Sequence, residues 1–192
     1  MRRRFATLAG VFAVATLVAA ASASAQVERG RVPDTGMTGI GFTMSAAIPT
    51  DGTLTTGPEL AIKAERYVTP RVSVRGLFSG AWMDVTGHSF TGTVRPIKAV
   101  GNVVYNWEGG QVHPYVTAGG GLYHFRFTDN GINGSDSKFG VNFGGGLEWF
   151  LSRRDSITGE LGYHAIPGQV TSPLTHYNPS FWTIAGGYKK YF

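Results

Sequence analysis

The chain has 192 residues, of which 42% are hydrophobic and 15% charged, and its formal net charge is +5. This length predicts one domain. The absence of cysteine excludes a disulfide framework and thiolate chemistry. Three of the 17 Lys and Arg residues stand together at positions 2–4, and the rest nearly balance the 12 Asp and Glu residues. The charge therefore does not favour a nucleic-acid surface.

The first 25 residues have the pattern of a secretory signal peptide. Arg2–Arg4 form a basic head, Ala9–Ala20 an uncharged apolar core, and Ala23–Ala25 a small-residue cleavage site. A membrane anchor, the alternative, would need roughly 20 apolar residues. We therefore expect cleavage after Ala25, a polar leader over residues 26–35, and a folded domain over residues 36–192.

The stretch Phe139–Leu151 shows the pattern that recurs through the chain. Its odd positions are Phe, Val, Phe, Gly, Leu, Trp and Leu, whereas its even positions are Gly, Asn, Gly, Gly and Glu, with Phe150 as the one break. A strand points alternate side chains to opposite faces, so one face here is apolar and the other small or polar. Eight segments of this kind follow one another, at Met37–Ile48, Glu59–Val68, Val72–Val85, Val94–Trp107, Val112–Phe127, Phe139–Leu151, Ser156–Ile166 and Phe181–Phe192.

The connections between these segments alternate between long and short, and the long ones are rich in Gly, Asn, Asp, Ser and Pro. Outer-membrane barrels have short periplasmic turns and longer external loops, and an even strand number returns both termini to the periplasm. The pattern predicts an all-β fold, an eight-stranded antiparallel up-and-down transmembrane β-barrel. Its main external loops would be Pro49–Pro58, Thr128–Lys138 and Pro167–Ser180.

Charged residues of both signs fall on the polar faces of the predicted strands. The interior of an eight-stranded barrel is just wide enough for side chains to fill it, and a lone buried charge is very costly. We therefore predict a lumen network of paired charges. Its members would be Glu65, Arg75, Lys98, Glu148 and Glu160.

A soluble barrel with its apolar face inward would show the same alternation. Two features favour the membrane. Aromatic residues gather near the segment ends, as an interfacial girdle requires, and glycines on the strands permit the curvature of a tight barrel. Arg66 lies on an apolar face, where it can snorkel from beside the Thr69 turn. The outward face of the fifth segment, Val112–Phe127, stays unassigned.

The runs Pro114–Leu122 and Phe139–Glu148, with the terminal Tyr191-Phe192, resemble the small outer-membrane β-barrel proteins of Gram-negative bacteria, of the opacity-like and OmpA/OmpX types. The resemblance covers the chain after residue 25. It implies contact with outer-membrane lipid, periplasmic chaperones in transit, and insertion by the barrel-assembly machinery, which reads a C-terminal strand ending in Phe. Tyr188 and Phe192 would carry that signal, although Lys190 stands where the family usually has an aromatic or apolar residue.

No motif points to a cofactor or a metal. The glycine triplets lack the Lys-Ser/Thr of a phosphate loop. Asp129–Gly134 faintly resembles a calcium loop, but its third position is Gly131 rather than Asp or Asn. The five histidines show no metal-ligand spacing. They are His88, His113, His124, His164 and His176.

One enzymatic alternative needs a test. Lipid A 3-O-deacylases are small barrels with a His-x-Ser-Asn signature and a later Asn-Pro, and this chain has a similar His164 and Asn178-Pro179. Ile166 occupies the position of the nucleophilic serine, so a hydroxyl would have to come from Ser172 or Ser180. The sequence thus favours a role without catalysis. This role would be structural, or it would be a surface interaction in which the external loops bind an unidentified ligand. A narrow channel for small solutes and the deacylase are the alternatives.

Overall fold

A computed structural model describes residues 33–87, 90–107, 110–129, 132–171 and 176–192. The predicted signal peptide over residues 1–25 and most of the polar leader lie outside these residues. Within them, no helix has both the length and the apolar character needed to cross a membrane.

The described residues form eleven β-strands. They are β1 (Thr38–Pro49), β2 (Gly57–Tyr67), β3 (Val72–Ala81), β4 (Met83–Gly87), β5 (Phe90–Asn106), β6 (Val112–Asp129), β7 (Ile132–Phe150), β8 (Asp155–Ala165), β9 (Val170–Thr171), β10 (His176–Tyr177) and β11 (Phe181–Tyr191).

Nine of these strands close into a barrel. Their order in the sheet is β3-β2-β1-β11-β8-β7-β6-β5-β4, and a further pairing between β3 and β5 joins the two edges. Trp82 separates β3 from β4, and both pair with β5, so they make one strand of the wall. β9 and β10 form a separate short hairpin. The prediction of a closed, eight-stranded antiparallel barrel is confirmed.

Two connections differ from the prediction. β6 continues to Asp129 and β7 begins at Ile132, so most of the predicted loop Thr128–Lys138 is a paired hairpin. β5 likewise begins at Phe90, which shortens the connection after β4. The predicted alternation of long and short connections is wrong at these two places. Polar and glycine-rich residues there pair as strands because, beyond the apolar band, neither face has to be hydrophobic.

The side chains point as a membrane barrel requires. Leu60, Phe143 and Leu161 are 41%, 52% and 52% exposed, whereas Arg75 and Glu148 are 2% and 0% exposed. A water-soluble barrel would show the reverse. The apolar faces therefore form the outer wall, and the charged faces form the lumen.

The structure also settles the face of the fifth predicted segment. In β6, Val116 and Leu122 point outward, while Tyr115 and Tyr123 are buried in the lumen. Arg66 is exposed on the outer wall beside the turn after β2. Exposed tryptophans lie near the two ends of the barrel, as an interfacial girdle requires. They are Trp82, Trp107, Trp149 and Trp182.

Apolar clusters close the lumen at both ends. At the end that carries the short turns, Tyr67, Phe150 and Tyr191 pack together. At the opposite end, a larger cluster includes residues of the segment between β8 and β11, which folds inward. Its members are Ala47, Leu54, Ala81, Met83, Val94, Val100, Tyr123, Phe125, Phe127, Ile166, Val170, Tyr177 and Phe181. The charged layer lies between these two clusters.

Candidate functional site

The layer near the short turns is built around two glutamates. Glu65 on β2 stands directly opposite Arg75 on β3, and the Arg75 Nε lies 2.9 Å from Glu65 Oε2. Lys189, reaching in from β11, places its Nζ 2.8 Å from Glu65 Oε2 and 2.8 Å from Glu148 Oε2. The Tyr191 hydroxyl donates to Glu148 Oε1 at 2.6 Å. Each buried charge is thus both paired and hydrogen-bonded, which offsets its desolvation.

Glu160 extends this network toward the middle of the barrel. Its Oε2 lies 2.7 Å from Arg75 Nη1 and 3.3 Å from Lys63 Nζ, and it accepts a hydrogen bond of 2.8 Å from the Tyr115 hydroxyl. The Arg75 guanidinium also stands over the Tyr115 ring, 5.1 Å from its centroid. Arg75 therefore links the two levels of the network.

A second group occupies the lumen nearer the end opposite the short turns, which carries the predicted external loops and is called the external end below. Lys98 Nζ lies 3.0 Å from Glu59 Oε2 and 3.1 Å from His164 Nε2, while the Tyr123 hydroxyl is 2.8 Å from His164 Nδ1. An ammonium group can only donate, so His164 Nε2 accepts and Nδ1 carries the ring proton. His164 stacks on Phe181 with ring centroids 4.6 Å apart. Lys98, Tyr123 and Phe181 thus hold the imidazole in place.

The structure brings four of the five predicted charges into one connected group. Glu65, Arg75, Glu160 and Glu148 are joined there, with Lys189 as the bridge to Glu148. Lys98 belongs instead to the separate group with Glu59 and His164. The predicted network did not include Glu59, Lys63 or Lys189. The signal was present for Glu59 and Lys63, since they stand six and two residues before Glu65 on β2 and so share its face.

Little space is left among these side chains. The cavity between the two charged groups measures about 20 Å³, which is room for about one water molecule. The cavity is lined in part by Asn102, Thr117 and Asn142. Each of them has a buried side-chain oxygen without a hydrogen-bond partner in the protein. Between the two charged groups, the described lumen therefore leaves no room for a solute.

The arrangement at His164 does not match a serine hydrolase. Its two ring nitrogens contact Lys98 and Tyr123. The Ser180 hydroxyl is engaged elsewhere, because it accepts from Ile166 N at 3.1 Å and lies 3.4 Å from Ile166 O. Ser172, the other candidate nucleophile, lies outside the described residues. Among the described residues no serine hydroxyl is hydrogen-bonded to His164.

The described residues contain no group of three His, Asp or Glu side chains placed to hold a metal ion. His88 lies outside them, as does part of the stretch Asp129–Gly134 that faintly resembles a calcium loop.

At the external end, two chain segments are tied together by Asp51. Its carboxylate accepts hydrogen bonds from the Thr53 hydroxyl at 2.6 Å, from Thr53 N at 2.9 Å and from Asn178 N at 2.9 Å. The Thr53 hydroxyl first, and then the Asn178 and Thr53 amides, hold the pKa of Asp51 below its ordinary value. The Thr50 hydroxyl donates to Ser180 O at 2.9 Å beside this contact. The loop after β1 thus holds the segment that folds over the lumen.

These features are those of a small outer-membrane barrel, and sequence comparison agrees. The family model of the outer membrane protein beta-barrel domain matches residues 11–189. The chain belongs to this family. Comparison with the curated proteins found no match.

Solved structures share the fold at low sequence identity. OprG from Pseudomonas aeruginosa is 13% identical with a TM-score of 0.63, covering 84% of this chain and 98% of that one. Neisserial surface protein A is 13% identical with a TM-score of 0.62, covering 82% and 99%. Ail of Yersinia pestis, solved with the heparin analogue sucrose octasulfate, is 15% identical with a TM-score of 0.59, covering 82% and 99%. At these identities the likeness shows the fold alone.

Proposed function

We propose that this outer-membrane barrel acts at the cell surface, as a closed scaffold that presents its external strands and loops to a binding partner. The observation that carries the proposal is the filled lumen. Two charged groups and two apolar clusters occupy it, and the cavity between the charged groups is about 20 Å³. A scaffold closed in this way leaves its exposed external end as the surface for interaction.

At the external end, the described residues are paired as strands or packed against the barrel. The hairpin of β6 and β7 keeps its pairing from the barrel out to Asp129 and Ile132. The segment between β8 and β11 is anchored by Asp51 and by the buried Val170 and Tyr177. Ordered surfaces lose less conformational entropy on binding than flexible ones do. The Ail structure is a complex with the heparin analogue sucrose octasulfate, and sulfated saccharides are one class of partner to test here.

The route to the membrane is part of the proposal. The basic head and apolar core within residues 1–25 support export through a cleaved signal peptide in a Gram-negative cell. Tyr188 and Phe192 are exposed on the outward face at the end of β11. That placement supports their recognition by the barrel-assembly machinery after chaperoned transit of the periplasm. We assign no catalytic residue and no cofactor.

Adhesion of whole cells tests the surface role. In the test variant, residues 128–133 are replaced by Asn-Gly, so that Phe127 and Gly134, which pair in the structure, flank a two-residue turn. Cells producing either protein are applied to immobilised matrix proteins, mucin and heparin. We expect the wild type to adhere to one of these surfaces and the variant to lose that adhesion while still folding as a heat-modifiable barrel. Equal adhesion by both proteins on every surface would contradict the role of this hairpin.

The channel alternative is tested by conductance across a planar bilayer. Because the lumen is filled, we expect no discrete current steps from the purified protein. Reproducible steps of constant size would show that the lumen conducts and would remove the closed scaffold from the proposal.

The deacylase alternative is tested by mass spectrometry of lipid A from cells that overproduce the protein. We expect its acyl pattern to be unchanged.

A further inference from the structure

Two arginines stand side by side on the outer wall of the barrel. Arg95 on β5 is directly opposite Arg126 on β6, and both side chains are exposed. Like charges at directly opposed positions of neighbouring strands repel each other. Neither arginine forms an ion pair with a carboxylate within the described part of the chain. The pair therefore carries two positive charges that no salt bridge among the described residues neutralises.

The height of this pair coincides with the edge of the membrane. Trp82, between β3 and β4, falls level with Arg95 in the register, and it is exposed on the same wall. Exposed tryptophans concentrate where the bilayer meets water. Arg95 also stands ten residues from the exposed Tyr105 on the same strand. At about 3.4 Å per residue and a tilt of about 40°, that separation is about 26 Å, close to the height of the apolar band.

Toward the membrane centre, the same strands carry an apolar surface. One continuous row of outward positions crosses four neighbouring strands, at Phe78, Ala99, Leu122 and Phe139. Between this row and the arginines lies His124. Its Nε2 accepts a hydrogen bond of 3.4 Å from Arg126 Nε, and its Nδ1 lies 2.8 Å from Ser137 Oγ. This contact uses one of the five N–H groups of Arg126.

We propose that Arg95 and Arg126 bind the phosphorylated headgroup of a lipid in the outward-facing leaflet, with its acyl chains on the apolar row of Phe78, Leu122 and Phe139. Guanidinium groups bind phosphate in a bidentate fashion, and a phosphate between the two would relieve their repulsion. Because an even number of strands returns both termini to the periplasm, the end of the barrel that carries the arginines faces outward.

A membrane lipid fits this site better than a soluble anion does. The arginines lie on the wall at the level of Trp82 rather than on the exposed tips of the hairpins, and the apolar row lies below them, beyond His124. A lipid contacts both surfaces at once, whereas a soluble anion contacts only the charged one. The proposal concerns the barrel wall, so it can fail without affecting the proposed role of the β6–β7 hairpin.

The test compares the double variant Arg95→Gln/Arg126→Gln with a matched control, Arg153→Gln/Arg154→Gln. The control also removes two adjacent exposed arginines, from the turn at the opposite end of the barrel. Binding of bisphosphorylated lipid A and of dephosphorylated lipid A is measured for each protein in detergent micelles. We expect the wild type and the control to prefer the phosphorylated form by roughly tenfold or more, and the double variant to lose that preference.

Three results would overturn the proposal. One is an equal preference in the double variant and the wild type. Another is no preference for the phosphorylated lipid in the wild type. The third is displacement of the bound lipid A by inorganic phosphate or sucrose octasulfate as potently as by lipid A itself. That result would identify a site for soluble anions. For each of the three proteins, faster migration on a gel without heating than after heating confirms that the barrel has folded.

Discussion

The Lys189 ammonium holds two buried carboxylates that come from different parts of the barrel wall, Glu65 and Glu148. In Lys189→Met the carboxylates keep their other partners but lose the cation between them. Removing one partner of a buried ion pair costs about 3–5 kcal/mol. We expect a loss of this size in the free energy of unfolding, measured by denaturant titration in lipid vesicles.

The neighbouring Lys190 provides the control for this prediction. Its side chain is exposed, and its Nζ lies 3.5 Å from Asp155 Oδ1 on the outer face. Because exposed ion pairs contribute about 1 kcal/mol or less, Lys190→Met should change stability little. If both variants lose the same amount, the lumen network does not stabilise the barrel as described.

At the external end, the contact between Asp51 and the Asn178 amide should depend on pH. The pKa of Asp51 lies below its ordinary value. A lowered pKa means that the ionised carboxylate stabilises the folded loop above the unfolded-state pKa of about 3.9. That stabilisation is lost as the pH falls through the folded-state value.

The amide proton of Asn178 reports this titration directly, because it donates to Asp51 Oδ2. In NMR spectra we expect its chemical shift to stay constant above about pH 5 and to change below about pH 4. The titration should vanish in Asp51→Asn, which keeps an acceptor oxygen but has no ionisable proton. A midpoint above the ordinary aspartate value would contradict the assignment.

At the scale of elements, glycine makes room where strands and lumen side chains approach closely. A Cβ added at Gly119 on β6 would overlap the Gly101 carbonyl oxygen and the Asn102 side chain, whereas one at Gly101 would meet no atom within 4 Å. Sequence analysis attributed the strand glycines to curvature. At Gly119 the structure adds a direct steric reason.

These two glycines give a matched pair of substitutions. Gly119→Ala forces the backbone to shift, at a cost of about 1–3 kcal/mol or more. Gly101→Ala meets no obstacle, and it should leave stability unchanged or slightly raised, since alanine restricts the unfolded chain. The fraction that migrates as folded barrel on unboiled gels, as a function of denaturant, measures both. A larger loss for Gly101→Ala than for Gly119→Ala would be inconsistent with this packing.

For the whole molecule, the orientation of the two faces determines how it responds to a new charge. Phe143 points outward near the middle of β7. In Phe143→Arg the new charge faces the bilayer interior and should cost about 2–4 kcal/mol in vesicles. Ile132→Arg places the same charge at the tip of the β6–β7 hairpin, where it should cost little. Equal effects for the two variants would mean that Phe143 does not face lipid.

The sequence by itself determined the strand number, the closed antiparallel architecture and, outside the fifth segment, the face to which the wall residues point. These properties are local. Period-two alternation follows from the pleat of each strand, so residues such as Leu60 and Glu65 are assigned to opposite faces without knowledge of any neighbouring strand. The hairpin tips were misread because polar, glycine-rich residues pair as readily as they form loops once no lipid contact is required.

Only the tertiary structure decided which charges meet. Glu65 and Arg75 face each other across one short turn, but Lys189 reaches Glu65 past the intervening strand β1, and it reaches Glu148 past the intervening strand β8. The inward fold of the segment around Val170 and Tyr177, and the level shared by Arg95, Arg126 and Trp82, also depend on several strands at once. Such contacts are set by the register between strands and the stagger of the closed barrel, which the side-chain pattern of a single strand does not encode.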